Sequence, residues 1–158
     1  MPTGSSNTPE SAADAVKWHI VSNELIPPRS RVLAAVSGGA DSMAMLSILH
    51  RLGNIFDFEI AAAHLDHGLR PAGGEEAEQV KRFAESLQIV CHTGEADVGA
   101  LAESTGDSVE EAGRKARYRF LDEVAGSIGA DKIATGHTSD DQIETVLMRF
   151  LRGTGVRG

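Results

Sequence analysis

The chain has 158 residues, a formal net charge of −8 at pH 7 and one cysteine, with 41% hydrophobic and 4% aromatic residues. This composition excludes collagen, a coiled coil and general disorder, and the single cysteine excludes an internal disulfide framework or a CxxC centre. No apolar run approaches the ~18 residues of a membrane span, and the start of the chain lacks the basic and apolar regions of a signal peptide, so a cytoplasmic location is expected.

The predicted elements alternate between apolar runs and helices after a mobile tail at residues 1–11. In chain order they are a helix over Ala12 to Glu24, a strand over Arg31 to Val36, a helix over Ser42 to Leu52, a strand over Phe58 to His64, a helix over Glu75 to Leu87, a strand over Ile89 to His92, a helix over Ser108 to Val124, a strand over Lys132 to Thr135 and a helix over Ser139 to Leu151. Strands without polar alternation, separated by helices, predict a parallel sheet covered on both faces. Right-handed crossovers then build a doubly wound α/β domain over residues 12–158, in which ligands bind beyond the carboxyl ends of the strands.

The strongest chemical signal is the segment Ser37-Gly38-Gly39-Ala40-Asp41-Ser42, directly after the first predicted strand. Its two glycines let the backbone approach an anion, the helix that follows offers unpaired amides, and the two serine hydroxyls add donors. Asp41 would repel a phosphate unless a cation lay between them, which suggests Mg²⁺. The segment matches neither a Walker A loop nor the dinucleotide fingerprint, and an ordinary strand-to-helix turn stays open as the alternative.

A second polar cluster follows the second predicted strand. It contains His64, Asp66 and His67, and residue types of this kind can bind a metal. No further ligand follows at the usual zinc spacing, so a structural or substrate-positioning role is favoured over zinc.

The helix after Ser108 carries several basic residues, of which Arg114 and Arg117 lie one turn apart and can face the same ligand. From the residues alone, a solvated charged face paired to Glu110 and Glu111 is the favoured interpretation, because charge runs on helices usually have that role.

A third cluster follows the fourth predicted strand, which ends at Gly136-His137. Asp141 and Glu144 come next and share one helix face, where two carboxylates could clamp an ammonium group or a metal. The alternative is the ordinary enrichment of acids at a helix N-terminus, which explains Asp141 better than Glu144 or His137.

Taken together, four segments resemble the tRNA(Ile)-lysidine synthetases, a family of PP-loop ATP pyrophosphatases: residues 35–42 (AVSGGADS), 64–71 (HLDHGLRP), 110–121 (EEAGRKARYRFL) and 134–155 (ATGHTSDDQIETVLMRFLRGTG). The SGGxDS loop is shared by the wider superfamily, whereas HGLRP and DDQxET are more selective for this family. The resemblance implies that ATP adenylates the wobble cytidine of an isoleucine tRNA with a CAU anticodon, releasing pyrophosphate. The ε-amine of free lysine then attacks carbon 2 of that cytidine and displaces AMP.

The resemblance also implies roles for individual residues. The loop from Ser37 to Ser42 would bind ATP, with Asp41 acting through Mg²⁺. Catalytic roles fall on Asp41, Arg117 and His137, with Arg114 and His64 assisting, and lysine binding falls on Asp141 and Glu144. The sequence departs from the family pattern at three positions: Gly113 replaces an alanine, Asp66 an asparagine and Thr138 a second histidine.

The family continues past the motif that ends near Gly158, so the domain is expected to be incomplete at its C-terminus, and this chain alone is expected to bind ATP without making lysidine. The expected partners are isoleucine tRNA and free lysine, with no membrane and with a homodimer as a candidate assembly. Two alternatives stay open. One is another PP-loop enzyme that thiolates or amidates tRNA, although Cys91 alone provides no cysteine pair. The other is a nucleotide-binding module without catalysis.

Overall fold

The computed structural model describes residues 11–68, 73–137 and 147–152, and of Gly73, His137 and residues 147–152 it describes the backbone only. Within these ranges the chain forms five helices and five strands: α1 (Ala12–Ser22), β1 (Arg31–Ala35), α2 (Ala40–Phe56), β2 (Glu59–Asp66), α3 (Gly73–Ser86), β3 (Val90–Glu95), α4 (Val98–Thr105), α5 (Val109–Ile128), β4 (Lys132–His137) and β5 (Leu147–Arg152). No helix in the described part of the chain is both long and apolar enough to cross a membrane.

The strands form one sheet in the order β3-β2-β1-β4-β5, in which β1 to β4 are mutually parallel. The predicted doubly wound α/β fold is therefore confirmed. The strand order reverses at β1, because the chain builds outward from β1 through β2 to β3 and then places β4 on the opposite side of β1. In open α/β sheets, ligands bind beyond the carboxyl ends of the strands at such a reversal.

Both faces of the sheet are covered, because successive strand side chains point to opposite sides. On one face, Val32 and Ala34 pack with Leu46 and Leu49 of α2 in a core that also receives α1 and α3. On the other face, a second core packs against α5 and contains Leu33, Ala61, Ala63, Leu121, Val124 and Ile133. Strand β1 and the middle of β2 are consequently buried on both sides, as the sequence predicts, whereas β3 is partly exposed.

Two elements differ from the sequence-based prediction. Helix α4 was not predicted, although Asp97 caps it by accepting a hydrogen bond from the amide of Ala100, and Gly106 ends it at φ 74°. The predicted helix over Ser139 to Leu151 is wrong over residues 147–151, because Leu147–Arg152 form β5 antiparallel to β4; residues 139–146 lie outside the described residues. A short apolar run fits a strand as well as a helix stripe, and β5 pairs the backbone groups that β4 would otherwise expose at the sheet edge.

At the amino ends of the strands, Arg31 joins three parts of the chain. Its amide donates to Asp131 Oδ2 at 2.8 Å, and its guanidinium donates to Glu59 Oε2 at 2.6 and 2.9 Å and to the carbonyl of Ile128. These bonds fix β1, β2 and the turn between α5 and β4 at the end of the sheet opposite the predicted site.

Candidate functional site

The carboxyl ends of β1, β2 and β4 open into a cavity of about 490 Å³, which α5 closes from one side. A volume of this size falls within the range of small-molecule sites. Its lining includes Ser37 and Ser42 of the predicted loop, together with His64 and Arg117. The fold therefore brings together residues from three of the polar segments that the sequence singles out.

Hydrogen bonds of the Ser42 side chain fix the conformation of the loop after β1. The hydroxyl of Ser42, which is buried, donates to the carbonyl of Gly39 at 2.9 Å and accepts from the amide of Ser37 at 3.1 Å. The two serine hydroxyls lie 3.1 Å apart. Because Ser42 uses its only hydroxyl proton in the hydrogen bond to the carbonyl of Gly39, its role in this conformation is to fix the shape of the loop. Gly38 lies at φ 90°, a backbone conformation that glycine adopts without strain.

Helix α2 begins without a side-chain cap. Ser11, Asp97 and Ser108 accept hydrogen bonds from the first-turn amides of α1, α4 and α5, whereas the N-cap of α2 is Gly39, which has no side chain to do so. The first-turn amides of a helix need partners and carry the positive end of the helix dipole, so an uncapped start is suited to an anion. Asp41 lies in this first turn and is exposed at the rim, outside the cavity lining.

His64 fixes the start of the loop. Its buried ring donates from Nδ1 to the carbonyl of Val36 at 2.8 Å, while the amide of Val36 donates to the carbonyl of Ala63 at 2.8 Å. Val36 lies one residue beyond the end of β1, and both its amide and its carbonyl are thus hydrogen-bonded to residues of β2. In the described ranges, no group of three or more potential metal-ligating side chains occurs.

The two arginines of α5 that the sequence singles out, Arg114 and Arg117, have different surroundings. Arg114 is exposed and donates to Glu111 at 2.8 and 3.0 Å, so the charged-face interpretation holds for this residue. Arg117 lines the cavity, its guanidinium carbon lies 5.6 Å from the ring centroid of Tyr118, and it forms no ion pair with a carboxylate in the described part of the chain. Arg117 is therefore a cation available to a ligand in the cavity.

His67 lies against α5 close to Arg117. A Cβ atom at Gly113 would lie 3.0 Å from Nδ1 of His67, so the absence of a side chain at position 113 makes room for the ring. Burial lowers the pKa of His67, the positive charge of Arg117 lowers it further, and the carboxylate of Asp66 opposes the shift. A neutral His67 lies beside Arg117 without adding a second positive charge.

Three predicted site residues lie at the end of β4 or beyond it. His137 ends β4, the strand beside β1, and its backbone places it at the same edge of the sheet as the loop. Asp141 and Glu144 lie outside the described residues. Their contact with lysine consequently stays a prediction from the sequence.

Sequence reasoning did not identify two residues in the cavity wall, Thr135 and Phe120. Thr135 is buried in β4, and its hydroxyl has no hydrogen-bond partner among the residues that the structure describes. The ring of Phe120 packs on Gly94 of β3, where a Cβ atom would lie only 2.6 Å from the ring. A threonine within an apolar strand gives no signal of its own, but Gly94 in a strand indicates the close approach of another group.

A glycine loop between a parallel strand and an uncapped helix, at the point where the strand order reverses, defines an α/β domain built to hold an anionic ligand. The family model for the PP-loop domain matches residues 11–158, and the chain belongs to this family.

Curated relatives are similar over most of this chain. A tRNA(Ile)-lysidine synthase of Thermosipho africanus is 46% identical over 134 residues, which is 85% of this chain and 31% of that protein. One from Clostridium acetobutylicum is 42% identical over 140 residues, covering 88% of this chain and 30% of that protein, and one from Geobacillus kaustophilus is 40% identical over 146 residues, covering 92% and 32%. The chain spans about a third of the length of these relatives.

Two solved structures share the fold. The U34-tRNA thiolase NcsA from Methanococcus maripaludis, with its 4Fe-4S cluster, has a TM-score of 0.59 at 18% identity, over 73% of this chain and 40% of that chain. The NH3-dependent NAD synthetase from Campylobacter jejuni has a TM-score of 0.51 at 12% identity, over 77% and 52%. At these identities the likeness concerns the fold alone.

Proposed function

We propose that this domain binds ATP with Mg²⁺ and serves a tRNA(Ile)-lysidine synthase, which joins lysine to the wobble cytidine of isoleucine tRNA through an adenylated intermediate. The observation that carries the proposal is the first turn of α2. It has no side-chain cap, and it directly follows the glycine loop that the Ser42 hydroxyl fixes beside the cavity. The name of the relatives, at 40–46% identity, supports the choice of reaction.

In this proposal the loop from Ser37 to Ser42 holds the phosphates of ATP. The amides of the first turn of α2 donate to phosphate oxygens, and the helix dipole favours their negative charge. Arg117 faces the phosphate that stays on the transferred adenylate and offsets negative charge there as pyrophosphate leaves. His137, at the end of β4, is the third catalytic residue, placed beside the activated cytidine. Arg114 and His64 are assigned assisting roles: Arg114 from the exposed face of α5, and His64 by holding the carbonyl of Val36 at the start of the loop.

The residues present fit Mg²⁺ as a partner of ATP. Asp41 offers one exposed carboxylate beside the first-turn amides, and the described ranges contain no group of three ligands that would form a cage made of protein alone. Magnesium is usually bound in this way, through one or two carboxylates together with substrate phosphates. When bound, the ion would neutralise charge on the departing pyrophosphate.

The second substrate is proposed to be free lysine, bound by Asp141 and Glu144. Two carboxylates one turn apart suit an ammonium group, which they can orient until it loses a proton and attacks. A cytoplasmic location and a homodimer belong to the same proposal. The thiolation alternative is less well supported, because Fe–S clusters need several cysteine ligands and this chain has one cysteine.

The ATP site is tested by titrating ATP into this chain with and without Mg²⁺. Asp41→Asn should weaken binding at least 10-fold when Mg²⁺ is present, because the ion loses a ligand. Without Mg²⁺ the same variant should bind ATP as well as or better than the wild type, because the carboxylate no longer repels phosphate. Asp122→Asn, at an exposed aspartate of α5, is the matched control. Equal binding by wild type and Asp41→Asn in Mg²⁺ would refute the assignment.

The reaction is tested with labelled lysine, ATP, Mg²⁺ and purified isoleucine tRNA, using a full-length protein that contains this domain. AMP should form only when both tRNA and lysine are present, whereas pyrophosphate can form with tRNA alone as the cytidine is adenylated. Glu144→Gln should raise the KM for lysine much more than that for ATP. An unchanged KM for lysine would remove Glu144 from the lysine site. This chain alone should bind ATP without adding lysine, because its net charge of −8 gives it little hold on a tRNA.

A further inference from the structure

A notch in α5 receives the ring of His67. Position 113 is a buried glycine, and a Cβ atom there would lie 3.0 Å from Nδ1 and 3.3 Å from Cε1 of His67. The same Cβ atom would lie 3.5 Å from Cγ1 of Val98, the first residue of α4, which borders the notch. The imidazole therefore packs directly on the helix backbone, at a distance that a side chain at position 113 would not allow.

Backbone hydrogen bonds fix the place of this ring. The carbonyl of Asp66 accepts from the amide of Ala96 at 2.8 Å, and the carbonyl of His67 accepts from the amide of Val98 at 3.2 Å. The amide of Gly68 donates to Oδ1 of Asp66 at 2.9 Å, which closes a turn around His67. The end of β2 is thus tied to the segment that leads into α4, and the backbone of His67 has little freedom to withdraw the ring from the notch.

The notch lies one turn before Arg117 on the same face of α5. Side chains of an α-helix lean towards its N-terminus, so the stem of Arg117 covers the turn that contains Gly113. His67 and Arg117 line the same cavity, and the guanidinium carbon lies 5.6 Å from the ring centroid of Tyr118. Arg117 therefore has two rings as neighbours, that of Tyr118 on its own helix and that of His67 from the end of β2.

The charge state of His67 suits a neighbour of an arginine. Burial lowers its pKa, the charges of Arg117 and His64 lower it further, and the carboxylate of Asp66 opposes them. A ring whose pKa lies below 6.5 is mostly neutral at pH 7. It can therefore restrict the side chain of Arg117 by contact without repelling the positive charge.

We propose that His67 is a positioning residue for Arg117: seated in the Gly113 notch, its ring restricts the arginine side chain to the direction that leads into the cavity. This inference rests on the proposed function, since it takes Arg117 to act in the adenylation of the cytidine. An arginine side chain has many rotamers, and a misplacement of about 1 Å can lower a reaction rate by a factor on the order of 100. A rigid neighbour that removes the unproductive rotamers therefore has a large effect on rate.

The test is a double-mutant cycle on His67 and Arg117 in a full-length protein that contains this domain. Pyrophosphate release is measured in a single turnover with isoleucine tRNA and ATP with Mg²⁺, without lysine, so that only adenylation is observed. His67→Ala should lower the maximal rate roughly 10- to 100-fold and leave the ATP concentration for half-maximal rate nearly unchanged. In the Arg117→Gln background the same substitution should have little further effect, because the side chain that His67 positions is absent.

Gly113→Ala tests the same contact from the side of the helix. The added methyl group must push the His67 ring by a few tenths of an ångström, so adenylation should slow by a smaller factor than in His67→Ala. Gly126→Ala is the matched control, because it makes the same change in the same helix where a Cβ atom would meet no described atom within 4 Å. The control should retain the wild-type rate. Equal slowing by the two glycine substitutions would show a general effect of alanine in α5 and overturn the inference.

The outcomes distinguish this inference from the proposed function. If Arg117→Gln slows adenylation but His67→Ala costs the same factor in both backgrounds, the inference is overturned while the proposed function stands. A large rise in the ATP concentration for half-maximal rate in His67→Ala would make His67 a nucleotide contact, which also overturns it. If His67→Ala unfolds below the assay temperature, His67→Asn, which retains a flat polar group, replaces it in the cycle. If the wild type releases no pyrophosphate with tRNA, the proposed function fails and this inference falls with it.

Discussion

Gly94→Ala should destabilise the protein through a steric conflict with Phe120. A Cβ atom at position 94 would lie 2.6, 2.9 and 3.2 Å from three carbons of the Phe120 ring. Non-bonded carbon atoms pack at roughly 3.5–4.0 Å, so the ring must move by about 1 Å. Gly94 lies outside the positive-φ glycines, so its backbone accepts alanine and the conflict is purely one of space.

The net magnitude follows from two opposing effects. Overpacking of this kind costs about 1–3 kcal/mol. Replacing a glycine within a strand recovers about 0.5–1 kcal/mol of backbone conformational entropy. We therefore expect Gly94→Ala to lower the free energy of unfolding by about 1–2 kcal/mol, which for a chain of this length lowers the Tm by about 2–8 °C.

Urea denaturation of a double-mutant cycle provides the assay. Phe120→Leu shortens the side chain that alanine would strike, so the cost of Gly94→Ala should fall by at least half in the Phe120→Leu background. Residues in contact show such coupling, whereas distant residues contribute additively. If Gly94→Ala is neutral, or costs the same in both backgrounds, the ring of Phe120 does not rest on Gly94.

Four further substitutions test other features. Gly126→Ala should raise the free energy of unfolding by about 0.5–1 kcal/mol, because this glycine lies within α5 and a Cβ atom added there would meet no other atom within 4 Å; a loss of stability in denaturation would contradict this. Gly38→Ala should cost about 1–2 kcal/mol and weaken ATP binding, because the φ of 90° strains an L residue, although a Cβ atom would make only an ordinary van der Waals contact with Val80 at 3.6 Å; unchanged binding in calorimetry would argue against a strained loop. Arg117→Gln should raise the pKa of His67 in an NMR titration, since it removes one of the charges that lower that pKa. Because the folded-state pKa of His67 lies below the ordinary value of 6.5, its neutral form contributes stability above that pH, and this stability falls as the pH drops from 6.5 towards the folded-state pKa. The acid-side loss should be smaller in His67→Gln.

The alternation of apolar runs and helices was sufficient to predict that β1 to β4 follow one another along the chain and form a parallel sheet, but not the order of the strands within that sheet. A buried parallel strand reads as a continuous apolar run, and β1 is such a run. Helix α4 was missed because it is short and its apolar face packs locally against α5, around Val98 and Ala102. The run from Leu147 to Arg152 could not be assigned from periodicity, since pairing with the β4 edge decided its conformation.

The site was predictable where local chemistry defines it and unpredictable where packing does. The Ser37 to Ser42 loop is recognisable because its glycines and helix start adjoin in sequence. Arg114 and Arg117 look equivalent in sequence, and only the placement of α5 against the sheet directs Arg117 into the cavity and leaves Arg114 with Glu111. Whether the hydroxyl of Thr135 finds a hydrogen-bond partner among the described residues depends on which side chains the fold places around it, and the sequence alone does not give those surroundings.

The central position of β1 has a consequence for synthesis of the chain on the ribosome. The bonds of Arg31 to Glu59 and to Asp131 join residues 28 and 100 positions apart. At ordinary translation speeds, β4 is synthesised on the order of ten seconds after β2. During that interval the edge of β1 that will pair with β4 stays unpaired. Such an edge can pair with the wrong strand or with another nascent chain. The part of the cavity wall that contains Thr135 arrives with the late partner, so the cavity is incomplete until β4 docks.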